Sequence, residues 1–155
     1  MTDIRFDDLA ALQQLVSEEF SEFGPPIHIS QAMIDGFAEV TLDPQWIHTD
    51  VERAKKESPF GGTIAHGFLV LSLATALQDG SGVRVVGFGS AINYGAEKLR
   101  FVSAVPAGSD VHCRRRVCHV RRKGLGSQLT FDVEVYVVAA DKPALVYQQL
   151  ALYLP

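Results

Sequence analysis

Residues 37–78 read FAEVTLDPQWIHTDVERAKKESPFGGTIAHGFLVLSLATALQ, and the last third of this stretch decides the fold. Between His66 and Gln78, the side chains of Phe68, Leu69, Val70, Leu71, Leu73, Ala74 and Leu77 leave almost no polar side. A helix that is apolar all round is one that other elements surround. Ser72 and Thr75 are its polar positions, with hydroxyls able to bond back to the preceding turn, and Gly80 and Gly82 end it. Earlier in the stretch, Pro44 disfavours helical geometry at the residue before it. Asp43 is therefore expected at a helix exit, in a turn, and His48 on a loop between helices. A carboxylate and an imidazole thus precede the helix start at His66-Gly67, where backbone N–H groups carry the positive end of the helix dipole. That combination suits a carbonyl whose oxygen becomes negative during reaction.

Working outward, Phe6 to Phe20 carries Leu9, Leu12 and Val16 at helical spacing and is stopped by Gly24-Pro25-Pro26. Ile27-His28-Ile29 reads as extended, and Ser30 as the N-cap of a helix whose inward stripe is Met33, Phe37 and Val40. Asp50 caps a short helix over Val51–Glu57. After Val83 the period changes to two. Leu129, Phe131, Val133, Val135 and Val137 alternate with Thr130, Asp132, Glu134 and Tyr136, a half-buried strand. Lys123-Gly124-Leu125-Gly126 is a hairpin connection, and glycines 87, 89 and 95 mark interruptions or bulges in the strand region 83–101. Helices followed by consecutive antiparallel strands make an α+β class. With one all-apolar helix among them, the sheet is expected to curl around it as a hot-dog fold, a single domain over 1–155.

The chain has 155 residues, 47% hydrophobic and 21% charged, with net charge −4. That is enough for one core and too little for two, and the charge balance gives no general reason to expect nucleic acid. Arg114–Arg116 and Arg121–Lys123 read as the solvated basic face of a strand hairpin. The start MTDIRFDDLAALQQL has acids where a secretory signal has basic residues and lacks a long apolar run, so neither a signal nor a membrane anchor is expected, and the 68–77 run is too short to span a bilayer. Cys113 and Cys118 point to opposite faces of one strand, so free thiols and a cytoplasmic location are expected.

Asp43-Pro44-Gln45-Trp46-Ile47-His48-Thr49-Asp50, followed by Phe60-Gly61-Gly62-Thr63-Ile64-Ala65-His66-Gly67, resembles the signature of MaoC-like (R)-specific enoyl-CoA hydratases. Ala91–Gly95 and Lys98–Phe101 resemble the nodulation-protein-N-like branch of that family. Gln45 stands where the family has Asn, and Trp46 where it has Pro; both alter pocket shape and remove no titrating group. The resemblance implies that Asp43 and His48 share acid and base work, that the Gly67 N–H stabilises the thioester oxygen, and that the pocket includes Gln45, Trp46 and Phe60. It implies a homodimer, and a hydroxyl at Thr75 that supports the aspartate. It requires no cofactor beyond the thioester carrier, coenzyme A or acyl carrier protein, which belongs to the substrate.

Other readings stand beside these. Asp43 alone is a turn former, and His48 alone a loop histidine bonded to backbone. His66 reads as a helix-start residue bracing the loop. Asn93, Tyr94 and Gly95 line the acyl or pantetheine channel or else form an ordinary bulge. Lys98 and Arg100, two apart on one strand face, meet carrier phosphates or solvate an edge. Asp43, His48, Asp50 and His66 are all metal-ligand types, but their spacing matches no established zinc pattern, so no metal is expected. No Rossmann or P-loop glycine motif is present. A hot-dog thioesterase commonly puts a carboxylate on the central helix, and none lies between His66 and Gln78. A non-catalytic acyl-thioester-binding or partner subunit is the remaining alternative.

Overall fold

The computed structural model describes residues 2–155. Five strands form one antiparallel sheet in the order β2 (Ile27–Ile29), β5 (Ser109–Lys123), β6 (Gly126–Val137), β7 (Leu145–Leu154) and β4 (Ser90–Phe101). A small parallel pair, β1 (Thr2–Arg5) and β3 (Val83–Val86), stands apart from it. The sheet curls around α5 (Gly67–Ala74), the hot-dog arrangement expected, and Leu69, Val70 and Ala74 of the helix pack into one core with Val111, Leu129, Val133, Val135 and Leu145. The β5–β6 hairpin closes through Gly124 and Leu125, with Gly124 at φ +59°, a left-handed position that costs glycine no Cβ clash.

α1 is shorter than its periodicity predicts, covering Leu9–Gln13 instead of 6–20. Strand β5 offers the following residues an alternative set of partners. Ser17, Ser21 and Gly24 donate their N–H groups to the carbonyls of Val117, Arg115 and Cys113 at 3.0–3.1 Å. Residues 17–24 therefore form an extended strap along β5, and together with β2 they seal that edge of the sheet.

The strap also explains why α5 stops at Ala74 and not at Gln78. The Cys113 thiol donates to the carbonyls of Leu77 and Gln78, and Gly24 lies so close to Gln78 that an added Cβ would fall 1.7 Å from its carbonyl oxygen. The chain is pulled off the helical path at that point. Nor is α5 wholly surrounded: Phe68 is 63% exposed, and Ser72 and Thr75 also face outward. Their hydroxyls do bond back, to the carbonyls of Phe68 and Ser72.

α2 (Gln31–Thr41) is capped by Ser30, whose hydroxyl accepts from the Met33 N–H. Its buried positions are Ile34 and Ala38, one residue out of phase with the predicted stripe; Val40 is 78% exposed. Two i,i+4 rows lie side by side on this helix, and the sequence alone does not choose between them.

Arg121 and Arg122 are exposed as expected, but Arg114–Arg116 do not form a solvated face. Arg114 and Arg116 turn to the convex side, where they pair with Glu134 and Asp132 of β6 at 2.8 and 2.9 Å. Arg115 turns to the concave side and pairs with Asp79, whose side chain is only 6% exposed. Burial alone would lift the Asp79 carboxyl above the usual range; the Arg115 guanidinium and Ser81 outweigh it and hold the group below. Cys113 is buried and Cys118 half-buried, and both are free thiols. Removing one partner of a buried pair strands the other charge, so Arg115→Met is expected to lower unfolding free energy by about 3 kcal/mol. Replacement of the hairpin residue Arg122 by Met should change it by less than about 0.5 kcal/mol; urea denaturation followed by circular dichroism compares the two.

Candidate active site

Leu42 closes α2 in the left-handed region at φ 58°, and the chain turns at Asp43 and Pro44 into α3 (Trp46–Thr49), a single helical turn. His48 thus sits on that turn and not on an open loop, and it is buried at 7% exposure. Asp50 then caps α4 (Val51–Glu57) by accepting the Arg53 N–H at 3.0 Å. The segment 63–65 threads between these turns and the sheet. Ile64 N–H donates to the Ile47 carbonyl, and Ala65 N–H to the Val105 carbonyl.

Three side chains converge here. One ligand-type atom from each of Asp43, His48 and His66 lies within 4.8 Å of the others. His48 Nδ1 is 2.7 Å from the carbonyl oxygen of Ile64. A carbonyl only accepts, so this nitrogen carries the proton and Nε2 keeps a free lone pair. His66 Nε2 is 3.1 Å from the Asp43 carbonyl oxygen and by the same logic donates to it, while its Nδ1 is buried without a protein partner. The two imidazoles stack with centroids 3.7 Å apart and planes 25° off parallel, and Phe37 packs on His66 at 5.1 Å. With both ring N–H groups given to backbone carbonyls, the trio offers one carboxylate and the lone pair on His48 Nε2. That set suits a water molecule better than a metal, which would need a third lone pair from His66.

Burial pushes the His48 imidazole below its ordinary pKa. The Ile64 carbonyl opposes that shift, His66 adds to it as a second potential cation, and Asp43 opposes it. His48 is accordingly neutral and basic at neutral pH. Because the unfolded chain binds this proton more readily, the contribution to stability is present above the ordinary histidine pKa and is lost as pH falls from there toward the lowered folded value.

A cavity of about 310 Å³ opens beside this group, lined by His48, Phe60, Gly67, Phe101 and Val102 among others. Gly67 is the first residue of α5, and among the described residues its N–H has no acceptor. An added Cβ at this position would lie 2.8 Å from the Phe101 ring, so it is the packing of Phe101 that requires glycine. A larger cavity of about 530 Å³ lies elsewhere, beyond the far end of α5.

Among the residues the sequence singles out, Asp43, His48, His66, Phe60 and Gly67 come together. Gln45 is exposed at the start of α3, and Trp46 lies under the Arg53 guanidinium at 4.3 Å; neither lines the cavity. Thr75 is at the opposite end of α5 from Gly67, too far to support Asp43. Asn93 bonds Gln149, and Tyr94 is covered by Lys123 at 3.7 Å. A register shift separates Asn93 from Gly95, so the bulge reading of this segment holds. A second shift between Glu97 and Arg100, with Lys98 at φ 53°, breaks the alternation that would put Lys98 and Arg100 on one face. Neither residue lines the cavity.

Two supporting residues carry no prior signal. Gln31 donates its amide to the His48 carbonyl at 2.7 Å and accepts the Thr63 hydroxyl at 2.6 Å. Thr63 stands inside the quoted motif, whereas Gln31 lies 17 residues from His48 and only the fold reveals it.

The curled sheet, its short apolar helix and the acid–base cluster at the helix start define the class as a hot-dog hydro-lyase. The MaoC like domain matches residues 13–139. Nodulation protein N of Rhizobium meliloti (strain 1021) is 38% identical over 156 residues, covering 98% of this chain and 92% of that protein. The 3-hydroxyacyl-thioester dehydratase Z of Mycobacterium tuberculosis is 39% identical over 150 residues, covering 96% and 97%. The (R)-hydratase from A. caviae involved in PHA biosynthesis superposes with a TM-score of 0.67 at 23% identity, over 90% of this chain and 98% of that one. The chain belongs to the MaoC-like dehydratase family.

Replacing His66 by Phe keeps a ring against His48 and removes the second potential cation. The His48 imidazole is expected to titrate at higher pH in His66→Phe than in the wild type, read from its ring signals by NMR. An unchanged or lower value would mean that burial and the Ile64 carbonyl alone set it.

Proposed function

We propose that the protein is an (R)-specific enoyl-CoA hydratase, equally a 3-hydroxyacyl-thioester dehydratase, adding water reversibly across the double bond of a trans-2-enoyl thioester. The observation that carries this reading is the convergence of Asp43, His48 and His66 within 4.8 Å beside the cavity that Gly67 lines. Water held between the Asp43 carboxylate and His48 Nε2 loses a proton to the imidazole as its oxygen bonds to the β-carbon. Asp43 orients that water and balances the imidazolium charge, and the pair returns a proton to the α-carbon. The Gly67 N–H donates to the thioester oxygen, which gains negative charge as the double bond is attacked. Positioned acid–base groups typically contribute roughly 10²–10⁴-fold, and one oxyanion donor about 3–4 kcal/mol.

Coenzyme A or acyl carrier protein is part of the substrate, and no separate cofactor takes part. No described helix is long and apolar enough to cross a membrane, and the reading places the enzyme in the cytoplasm. The sheet ends on one side in the long strand β4, which has no partner on its outer side among the described residues, and beside which Ile92, Tyr94, Phe101 and Val102 are exposed. Pairing of β4 with a second copy would cover it, giving a homodimer.

The test is loss of enoyl absorbance on adding crotonyl-CoA. Turnover is expected from the wild type, with at least a 100-fold loss of kcat in Asp43→Asn and in His48→Gln. Activity undiminished in both variants would remove the dyad.

A further inference from the structure

Gln31 is the first residue of α2, and both donors of its side-chain amide are engaged. Nε2 donates one proton to the His48 carbonyl at 2.7 Å and the other to the Asp35 carboxylate at 2.8 Å, while Oε1 accepts the Thr63 hydroxyl at 2.6 Å. The amide fits in this orientation alone, because turned over its oxygen would face two acceptors. A first helical turn favours an acid, yet α2 has none there. An ionised glutamate at 31 would suit the helix dipole but would have no proton to give His48.

These bonds form a closed circuit. His48 Nδ1 donates to the Ile64 carbonyl, Ile64 follows Thr63 in the chain, Thr63 holds Gln31, and Gln31 returns to the main chain of His48. The imidazole and its own backbone are thus both held against the segment 63–64. Loosening the backbone grip frees the ring to leave the Ile64 carbonyl, and with that bond goes the tautomer in which Nε2 carries the lone pair. α2 serves the other member of the pair as well. Its 11 residues span about 16 Å, and past its end Leu42 and Asp43 both return their N–H groups to the Ala38 carbonyl. One helix therefore starts with the grip on His48 and ends at Asp43. Gln31 and Thr63 do not line the cavity beside Gly67. They line another, of about 480 Å³, which shares only Phe60 with it. An effect of either residue on turnover accordingly passes through His48 and not through contact with substrate.

We propose that Gln31, held by Thr63, is a positioning residue for the hydration: it fixes the His48 main chain and thereby the tautomer that leaves Nε2 free to take the proton of water. The inference rests on the hydratase reading for the step that Nε2 performs. A reacting group displaced by about 1 Å loses on the order of 10²-fold in rate, so a slackened His48 has a measurable effect even though the base itself is intact.

Three variants of the full-length protein test this. Gln31→Glu keeps the side-chain length and removes the donor, Thr63→Val removes the hydroxyl at nearly constant volume, and Thr63→Ser keeps it. With crotonyl-CoA, kcat is expected to fall at least tenfold in Gln31→Glu and in Thr63→Val, with KM within twofold of the wild type. Thr63→Ser should retain kcat within about threefold. The second measurement needs no turnover: the nitrogen NMR shifts of the His48 ring. The wild type is expected to carry its proton on Nδ1, and in Gln31→Glu the proton should spread over both ring nitrogens. A kcat within twofold of the wild type in folded Gln31→Glu, a loss carried by KM alone, or an unchanged His48 tautomer in that variant overturns the proposal. Absence of crotonyl-CoA hydration by the wild type, together with a changed tautomer in Gln31→Glu, would remove the hydratase reading and leave the hold on His48 standing.

Discussion

The hydrogen bond from His48 Nδ1 to the Ile64 carbonyl joins two segments 16 residues apart and fixes most of what the site can do. It commits the proton to one ring nitrogen and so leaves the other with its lone pair. The same segment is tied to α3 through Ile64 N–H and to the sheet through Ala65 N–H. The His48 imidazole is thereby referenced to the core of the molecule and not to a surface loop. Gln31 completes the restraint by holding the His48 carbonyl while Thr63 holds Gln31. A site assembled from consecutive turns would ordinarily be mobile; these bonds give it the rigidity that proton transfer over short distances demands.

Around that anchor the groups are arranged by contrast of environment. His48 is buried, while the Asp43 side chain is 56% exposed. A single water contacting both would touch one group held neutral by desolvation and one that remains solvated. His66 links the two, bonded to the backbone of one and stacked on the ring of the other. The His66 ring stacked on His48 thereby adds to the burial that lowers the His48 pKa.

Much of this was readable from the chain. Pro44 announces the turn at Asp43, Ser30 and Asp50 announce their caps, and the period-two run from Leu129 announces β6, because each of these signals is local. What escaped depends on partners far away in sequence. α1 loses its second half because β5 offers the strap backbone partners, and α5 loses its last turn to Cys113 and Gly24. The three arginines look alike in one dimension, but strand alternation sends the middle one to the opposite face, where Asp79 waits. Lys98 and Arg100 seemed to share a face only because a bulge leaves no mark in their spacing. The crowding of Gly67 by the Phe101 ring is equally invisible in the sequence, because the two lie 34 positions apart.

The two rims of the sheet are unlike. One is occupied by β2 and then by the strap, whose N–H groups use up the carbonyls of Val117, Arg115 and Cys113. The other is the long β4, whose outer side has no strand partner among the described residues. A ribbon with two free margins can add units indefinitely, as fibres do, while one with a single free margin has a valence of one. Union of two copies through β4 would cover that long margin on each of them, leaving outermost only the short β2 and the irregular strap.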